Sequence, residues 1–306
     1  MNWFALALIG HISNGVTFTI DKILLRSAFT RSATYAGIVG TLSSILLIAI
    51  PFVDNWPYGY FWLAAIVSGI TFIIALWAFF GALGRAEASR IVPIVGSLIP
   101  ILTLAGSFVF LGERLQDKTF FGFALLILAT IILSGGGKGR PSKEAVWLAV
   151  TAAFLFAISS VTAKASYDAT GFFGPFVVSR IAAATTALFL LLFLDRAAGQ
   201  EVLSIIRPNR KQTSKHKRPS RTSVILALMG QVLGATGFLF VQWATAKGSA
   251  SIVNAMQAVQ YALLVIVALI LKHKAPKLLG ENLTRRVLVI KISALLITAI
   301  GMYLIV

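Results

Sequence analysis

The chain has 306 residues, of which 58% are hydrophobic and only 12% are charged, and its formal net charge is +17. Soluble domains carry about 25% charged residues, and a chain of this length cannot bury so much apolar surface in one or two aqueous cores. The composition therefore excludes a soluble protein, and because the basic residues lie between apolar runs it also argues against nucleic-acid binding. Cysteine is absent, which excludes disulfides and thiolate metal sites.

A membrane-crossing helix needs about 20 mostly apolar residues. Taken in chain order, the predicted spans are 3–20, 35–53, 61–83, 89–111, 119–134, 145–165, 172–194, 223–244, 249–271 and 287–306. The first run lacks the basic start and the cleavage site of a signal peptide, so we expect it to remain as a span. The sequence predicts an all-α integral membrane protein with ten transmembrane helices.

The Lys and Arg residues are distributed unevenly among the connections. Connections after odd-numbered spans hold 21 of them, and connections after even-numbered spans hold 4. Because positive residues collect on the cytoplasmic side, we predict a multi-pass plasma or inner membrane protein, prokaryotic in type, with extracytoplasmic termini. The basic loop 195–222 is predicted to be solvated and flexible.

Two short stretches of the first half recur in the second half. ALGRAEAS at 82–89 aligns with ATAKGSAS at 244–251, and LGERL at 111–115 aligns with LGENL at 279–283. Each pair occupies the same place in its half. Since five spans is an odd number, two successive five-span units must lie in opposite orientations. We therefore predict two inverted five-helix repeats, at 1–137 and 145–306, which is a common plan for carriers.

The stretch GALGRAEASRIVPIVGSLIPILTLAGSFVFLGERL at 81–115 resembles the EamA-type domain of the drug/metabolite transporter superfamily. The similarity lies in the small residues that open the fourth span, in Pro100 in its middle and in Gly-Glu-Arg-Leu at its end. Pro175 and Arg180 also fit the seventh span of that family. From the residues alone, Pro100 leaves one carbonyl without its helical donor, so we expect this part of the helix to face other helices or a wet cavity.

Polar side chains inside spans are costly in lipid, which makes each of them a candidate for a substrate cavity. In the ninth span four of them share one face, and Arg180 is a charged residue inside the seventh. The candidate cavity residues are His11, Asn14, Trp77, Arg90, Ser97, Arg180, Gln231, Gln242, Asn254, Gln257, Gln260 and Tyr261. For Arg180 two interpretations stay open: a structural pair with Asp168 or a carbonyl, and direct contact with an anionic or zwitterionic substrate.

Together these features predict a secondary transporter that moves a small polar or zwitterionic, amino-acid-like metabolite by alternating access. The alternatives are a translocase of lipids or lipid-linked headgroups, a multidrug exporter and an intramembrane enzyme. The enzyme is disfavoured because the three histidines form no metal or catalytic spacing. We expect no cofactor and no metal. The expected partners are the substrate, membrane lipids and a coupling proton or ion, for which His11 is a candidate, in a monomer or homodimer.

Overall fold

The computed structural model describes residues 1–24, 31–86, 88–134, 141–206, 221–270 and 285–306. All regular secondary structure in these ranges is helical. The helices are α1 (Trp3–Leu24), α2 (Ser32–Leu42), α3 (Phe61–Leu83), α4 (Ala88–Leu111), α5 (Asp117–Ser134), α6 (Lys143–Thr170), α7 (Phe173–Phe189), α8 (Arg196–Ile206), α9 (Arg221–Lys247), α10 (Ala250–Ala255), α11 (Gln257–Ile270) and α12 (Arg285–Ile305). A 3-10 segment, Ser43–Phe52, continues α2, and a π-helical turn, Leu190–Leu194, continues α7.

Six segments of the described chain are long and apolar enough to cross a membrane. They are Ser32–Phe52, Phe61–Leu83, Arg90–Leu111, Lys143–Thr170, Phe173–Leu194 and Ala250–Val267. Helices α1, α5, α9 and α12 lie at the other four predicted spans. The all-helical class is thus confirmed, and length and hydropathy confirm six of the ten spans.

Large apolar side chains cover the outside of the molecule. Phe110 is 78% exposed, Ile48 is 76% exposed and Leu63 is 63% exposed. In water a continuous apolar surface of this kind favours aggregation, whereas in hydrocarbon its exposure carries no penalty. The surface therefore agrees with a lipid environment for the helices.

The ninth predicted span is not one helix. α10 ends at Ala255 and α11 begins at Gln257, with Met256 between them. At this point the N–H of Val259 donates to the carbonyl oxygen of Met256 at 2.9 Å, a tighter pattern than that of an α-helix. The predicted span at 249–271 is confirmed over Ala250–Val267, and within it the backbone changes its hydrogen-bonding pattern at Met256.

The predicted flexible loop 195–222 begins with the helix α8. Asp195 accepts a hydrogen bond from the backbone N–H of Ala198 at 3.0 Å and pairs with Arg31 at 3.3 Å. Glu201 accepts a hydrogen bond from the hydroxyl of Thr34 on α2. The prediction of a solvated, flexible loop is therefore wrong for 196–206, since Ala198 buries an apolar face of α8 against α2. The structure does not describe residues 207–220.

The helices pack in pairs that join the first half (residues 1–134) to the second half (residues 141–306). α3 packs against α6 and α7, α1 against α9 and α11, α4 against α6 and α10, and α5 against α12. At Gly69 a Cβ would overlap the carbonyl oxygen of Ser179, so α3 and α7 meet at backbone distance. Pro100 on α4 is fully buried, which confirms that it faces other helices.

Candidate functional site

Arg180 lies buried on α7 among aromatic rings, with an exposed fraction of 3%. Its Cζ atom is 4.8 Å from the ring centroid of Phe72 on α3, 5.7 Å from that of Phe176 on α7 and 4.6 Å from that of Phe238 on α9. Cation–π contacts of a desolvated guanidinium are worth about 2 kcal/mol or more. The rings therefore replace part of the hydration that the charge loses on burial.

Two polar groups at this position have no hydrogen-bond partner in the described part of the chain. They are Nη2 of Arg180 and the hydroxyl of Tyr167 on α6, which is also 3% exposed. Tyr167 packs in one cluster with Phe176, whose ring lies against the guanidinium. We call Phe72, Tyr167, Phe176, Arg180 and Phe238 the arginine–aromatic site.

The arginine–aromatic site contains no carboxylate partner for Arg180. Asp168, one of the partners considered for Arg180, forms an ion pair with Lys164 at 2.5 Å. The Nε of Arg180 donates a long hydrogen bond, 3.4 Å, to the hydroxyl of the adjacent Ser179. An unsatisfied buried donor costs about 1–3 kcal/mol, and more when it is charged. The guanidinium therefore retains hydrogen-bonding capacity that the described residues do not use.

Asn254, near the end of α10, connects three helices. Its Nδ2 donates to the hydroxyl of Thr103 on α4 and to the hydroxyl of Ser160 on α6, both at 3.1 Å. Thr103 belongs to the first half of the chain, while Ser160 and Asn254 belong to the second. This polar contact thus crosses between the halves two residues before the helix turn at Met256.

The other polar residues of the ninth span engage different neighbours. Gln257 donates from Nε2 to the hydroxyl of Tyr261 at 2.7 Å. The same hydroxyl lies against Gly96 on α4, where a Cβ would come within 2.9 Å of it. Gln260 is 3% exposed and lies against α1, where a Cβ at Gly15 would come within 3.3 Å of its carbonyl oxygen. The face predicted from the sequence is therefore divided between α4, α6 and α1.

His11 and Asn14 place the first span beside the second half. His11 is buried, and its Nε2 lies 2.8 Å from the carbonyl oxygen of Val253 on α10. A Cβ at Gly237 on α9 would overlap Oδ1 of Asn14, so this side chain occupies the gap left by the glycine. Both residues belong to the contact between α1 and the helices that follow residue 221.

The remaining candidates do not join these groups. Trp77 packs against an apolar cluster of α2, α3 and α7, and Ser97 donates at 2.6 Å to a carbonyl of its own helix. Arg90 is half-buried at the start of α4, and Gln242 is 9% exposed on α9. The side chain of Gln231 lies outside the described residues. Among the side chains that are described, no group of three His, Cys, Asp or Glu residues could hold a metal ion.

Residues 1–135 match the model of the EamA-like transporter family. This part of the chain is similar to an EamA-type transporter domain. This match confirms the resemblance seen at 81–115. The matching family is one of membrane transporters, and together with the six apolar helices this match supports a multi-pass membrane protein.

The fold of nearly the whole chain is similar to that of a protein of known structure. One crystal structure superposes with a TM-score of 0.64 and is 16% identical in sequence. The superposition covers 97% of this chain and 98% of the other. At this identity the likeness shows the fold alone. No curated protein matches the chain.

The residues that surround Arg180 and Asn254 carry no signal of their own in the sequence. Tyr167 and Phe72 are ordinary residues for a membrane span. Only the packing of α6 and α3 against α7 brings them to Arg180. Thr103 and Ser160 are small hydroxylic residues of the kind found along many spans. Phe238 could have been predicted from the sequence, because it shares a face of the eighth span with Gln242.

Proposed function

We propose that the protein is a secondary transporter that carries a small polar or zwitterionic metabolite across the membrane by alternating access. The membership of residues 1–135 in a transporter family supports the class of function. The observation that carries the proposal further is the hydrogen bonding of Asn254 to both halves beside an interrupted helix. In many carriers, interrupted helices at the contact between two repeats supply the substrate site.

The packing pattern supports the proposal of two inverted five-helix repeats, 1–137 and 145–306. If each helix of the first repeat is exchanged for its equivalent in the second, the contact of α3 with α6 becomes that of α1 with α9. The contact of α4 with α6 likewise becomes that of α1 with α11. An approximate two-fold exchange of this kind is what alternating access requires, since the two faces open by equivalent movements.

Multidrug export and lipid translocation are the alternatives to metabolite transport. An exporter of hydrophobic cations needs a buried negative charge, and in the described residues no Asp or Glu side chain is buried. A lipid translocase needs a path for the headgroup, and its cargo stays in the bilayer. Measurements of solute flux therefore distinguish a lipid translocase from a metabolite transporter.

The test is solute flux in proteoliposomes that contain only this protein. We expect saturable counterflow of at least one member of a panel of amino acids, organic acids, sugars and nucleosides. Asn254→Ala should lower that flux about tenfold or more, because it removes both hydrogen bonds that join α10 to α4 and α6. Thr185→Val is the matched control, since Thr185 is exposed on α7 and its hydroxyl bonds only to its own helix.

Absence of saturable flux for every solute of the panel would contradict the transporter proposal. Scrambling of a labelled lipid by the same vesicles, with no solute flux, would replace it with lipid translocation. Equal loss of flux in Asn254→Ala and Thr185→Val would mean that transport does not depend on the hydrogen bonds of Asn254.

A further inference from the structure

We propose that the arginine–aromatic site binds the negatively charged group of the substrate, and that the transported solute is a small organic monoanion, a carboxylate with an apolar body. The inference rests on the proposed transport function and replaces its polar or zwitterionic substrate with an anionic one. It is carried by two buried polar groups, Nη2 of Arg180 and the hydroxyl of Tyr167, that have no hydrogen-bond partner among the described residues and that lie on side chains packed around Phe176.

The charge of the site calls for an anion. Arg180 is a buried cation, and it takes part in none of the ion pairs of the described chain. The described carboxylates are all exposed or half-buried, so none lies in the interior with it. A charge inside a membrane protein is otherwise compensated by a partner or marks a substrate path. A bound anion supplies the missing compensation.

The free donors favour a carboxylate. Guanidinium presents its N–H groups in a planar fork that matches two oxygens of one carboxylate. Nη2 is the arm of that fork which has no acceptor, and the Tyr167 hydroxyl is a second donor without an acceptor, on a side chain that packs with Phe176. One carboxylate can accept from both, which satisfies every buried donor left open at this position.

The walls of the site favour an apolar body. Phe72, Phe176 and Phe238 contribute ring faces around the guanidinium, and Phe172 extends the group by stacking on Phe176 at a centroid distance of 4.9 Å and on Trp243 at 5.9 Å. The four phenylalanine rings bury apolar surface and offer no hydrogen bonds. A substrate with several hydroxyl groups would leave them unpaired here.

A single negative charge follows from the count of cations. Lys291 is the other Lys or Arg residue buried in the described chain, and it lies on α12, which packs against α5 and α11. A dianion would therefore carry one charge into the interior without a partner. A zwitterion would do the same with its ammonium group, because no buried carboxylate is described at the site.

One aromatic ring from each half of the chain covers the guanidinium. Phe72 belongs to the first half and Phe238 to the second, and both cover Arg180. Any movement that separates α3 from α9 uncovers the guanidinium from one side. Such a movement would give a solute access to the guanidinium.

Binding to the full-length protein in lipid nanodiscs tests the inference. The probes are phenylacetate, hexanoate and acetate as anions, with phenylethylamine, 2-phenylethanol and phenylalanine as cationic, neutral and zwitterionic relatives of phenylacetate. Calorimetry at pH 7 should show that phenylacetate binds about tenfold or more tightly than its three relatives, and more tightly than acetate, because one charge-assisted hydrogen bond is worth at least that ratio.

Three variants assign the binding to the site. Arg180→Gln should weaken phenylacetate binding about tenfold or more, and Tyr167→Phe, which removes only a hydroxyl, about two- to tenfold. Lys164→Gln is the matched control, because it removes a positive charge on the same helix as Tyr167 but one already paired with Asp168. Its affinity should equal that of the wild type. Size-exclusion profiles establish that each variant is folded, and Tyr167→Phe keeps the test valid if Arg180→Gln is not.

The inference is overturned if no anion binds, if 2-phenylethanol or phenylethylamine binds as tightly as phenylacetate, or if Lys164→Gln lowers the affinity as much as Tyr167→Phe does. Flux separates this failure from that of the proposed function. Saturable transport of a neutral or cationic solute by the wild type and equally by Arg180→Gln overturns the anion site alone, whereas absence of all saturable flux overturns the transporter.

Discussion

Glu113 links the two halves through a single carboxylate. It follows Gly112, whose backbone φ of +67° turns the chain out of α4. One of its oxygens accepts hydrogen bonds from the hydroxyls of Ser249 and Ser251, and the Ser251 bond is 2.6 Å long. Ser249 also caps α10 by accepting the N–H of Ile252 at 3.1 Å. The carboxylate therefore contacts the very start of the interrupted ninth span.

Glu113→Ala and Ser251→Ala should not act independently on stability. We expect a coupling free energy of about 1–2 kcal/mol in a double-mutant cycle, because each single change already removes the shared hydrogen bond. Thermal or denaturant unfolding in detergent measures it. Gln116→Ala, an exposed position in the same connection, should change the free energy of unfolding by less than about 0.5 kcal/mol. Additive effects of Glu113→Ala and Ser251→Ala would contradict the contact.

At the residue scale, the sequence predicted single costly groups but not their partners. Arg180 was identifiable because a charge inside a span is expensive wherever it points. Tyr167 was not, because a tyrosine in a span carries no such cost and its hydroxyl matters only next to Arg180. Glu113 and Ser251 stood out as parts of aligned motifs, and their contact with each other depends on the packing of the halves.

At the scale of elements, the approach of α3 to α7 decides whether the arginine–aromatic site can form. Gly69 meets the carbonyl oxygen of Ser179, one residue before Arg180, and Phe72 follows Gly69 by three residues on the same helix. Because backbone meets backbone, neither side can move aside as a flexible side chain would. The glycine thereby sets the distance at which the Phe72 ring reaches the guanidinium.

Gly69→Ala should destabilise the protein by about 1–3 kcal/mol or more, since the added methyl group forces α3 away from α7. It should also weaken any ligand that depends on Arg180. Gly84→Ala is the control, because a Cβ at Gly84 meets its nearest neighbour at an ordinary 3.5 Å. Unfolding midpoints of both variants in detergent measure the difference. Equal unfolding midpoints for Gly69→Ala and Gly84→Ala would mean that moving α3 away from α7 costs no free energy.

Helix boundaries were the least predictable elements. Hydropathy alone treats 249–271 as one run, since the turn at Met256 is made of residues that a helix also accepts. The same measure assigned 195–222 to a loop because its charges dominate. Ala198 and Val202 nevertheless give α8 an apolar side that packs against α2. Long apolar runs such as α3 and α6 were predicted closely, because lipid leaves the backbone no alternative to a helix.

At the scale of the whole molecule, the charge distribution and the packing address different questions. The positions of Lys and Arg predict which face is cytoplasmic, and the helix contacts describe only which helix neighbours which. Parity suggested inverted repeats from the sequence alone. The pairing of α1 with α9 and of α3 with α6, which follows that exchange, depended on side-chain fit and could not be read from single-span hydropathy.

The orientation can be tested directly because the chain has no cysteine of its own. Single substitutions Asn2→Cys and Gln116→Cys should react with a membrane-impermeant maleimide in intact cells, since both lie on the predicted extracytoplasmic side. Gln200→Cys on α8 should react only after the cells are opened. All three side chains are exposed, so differences in labelling report the side of the membrane. The reverse pattern would place the termini in the cytoplasm.

The attachment of α8 has a practical consequence. Although it follows the seventh span, it is fastened to the beginning of the second through Arg31, Thr34, Asp195 and Glu201. A displacement of α2 should therefore move α8 with it. A fluorophore on Leu203, which is 60% exposed on α8, would report such a movement.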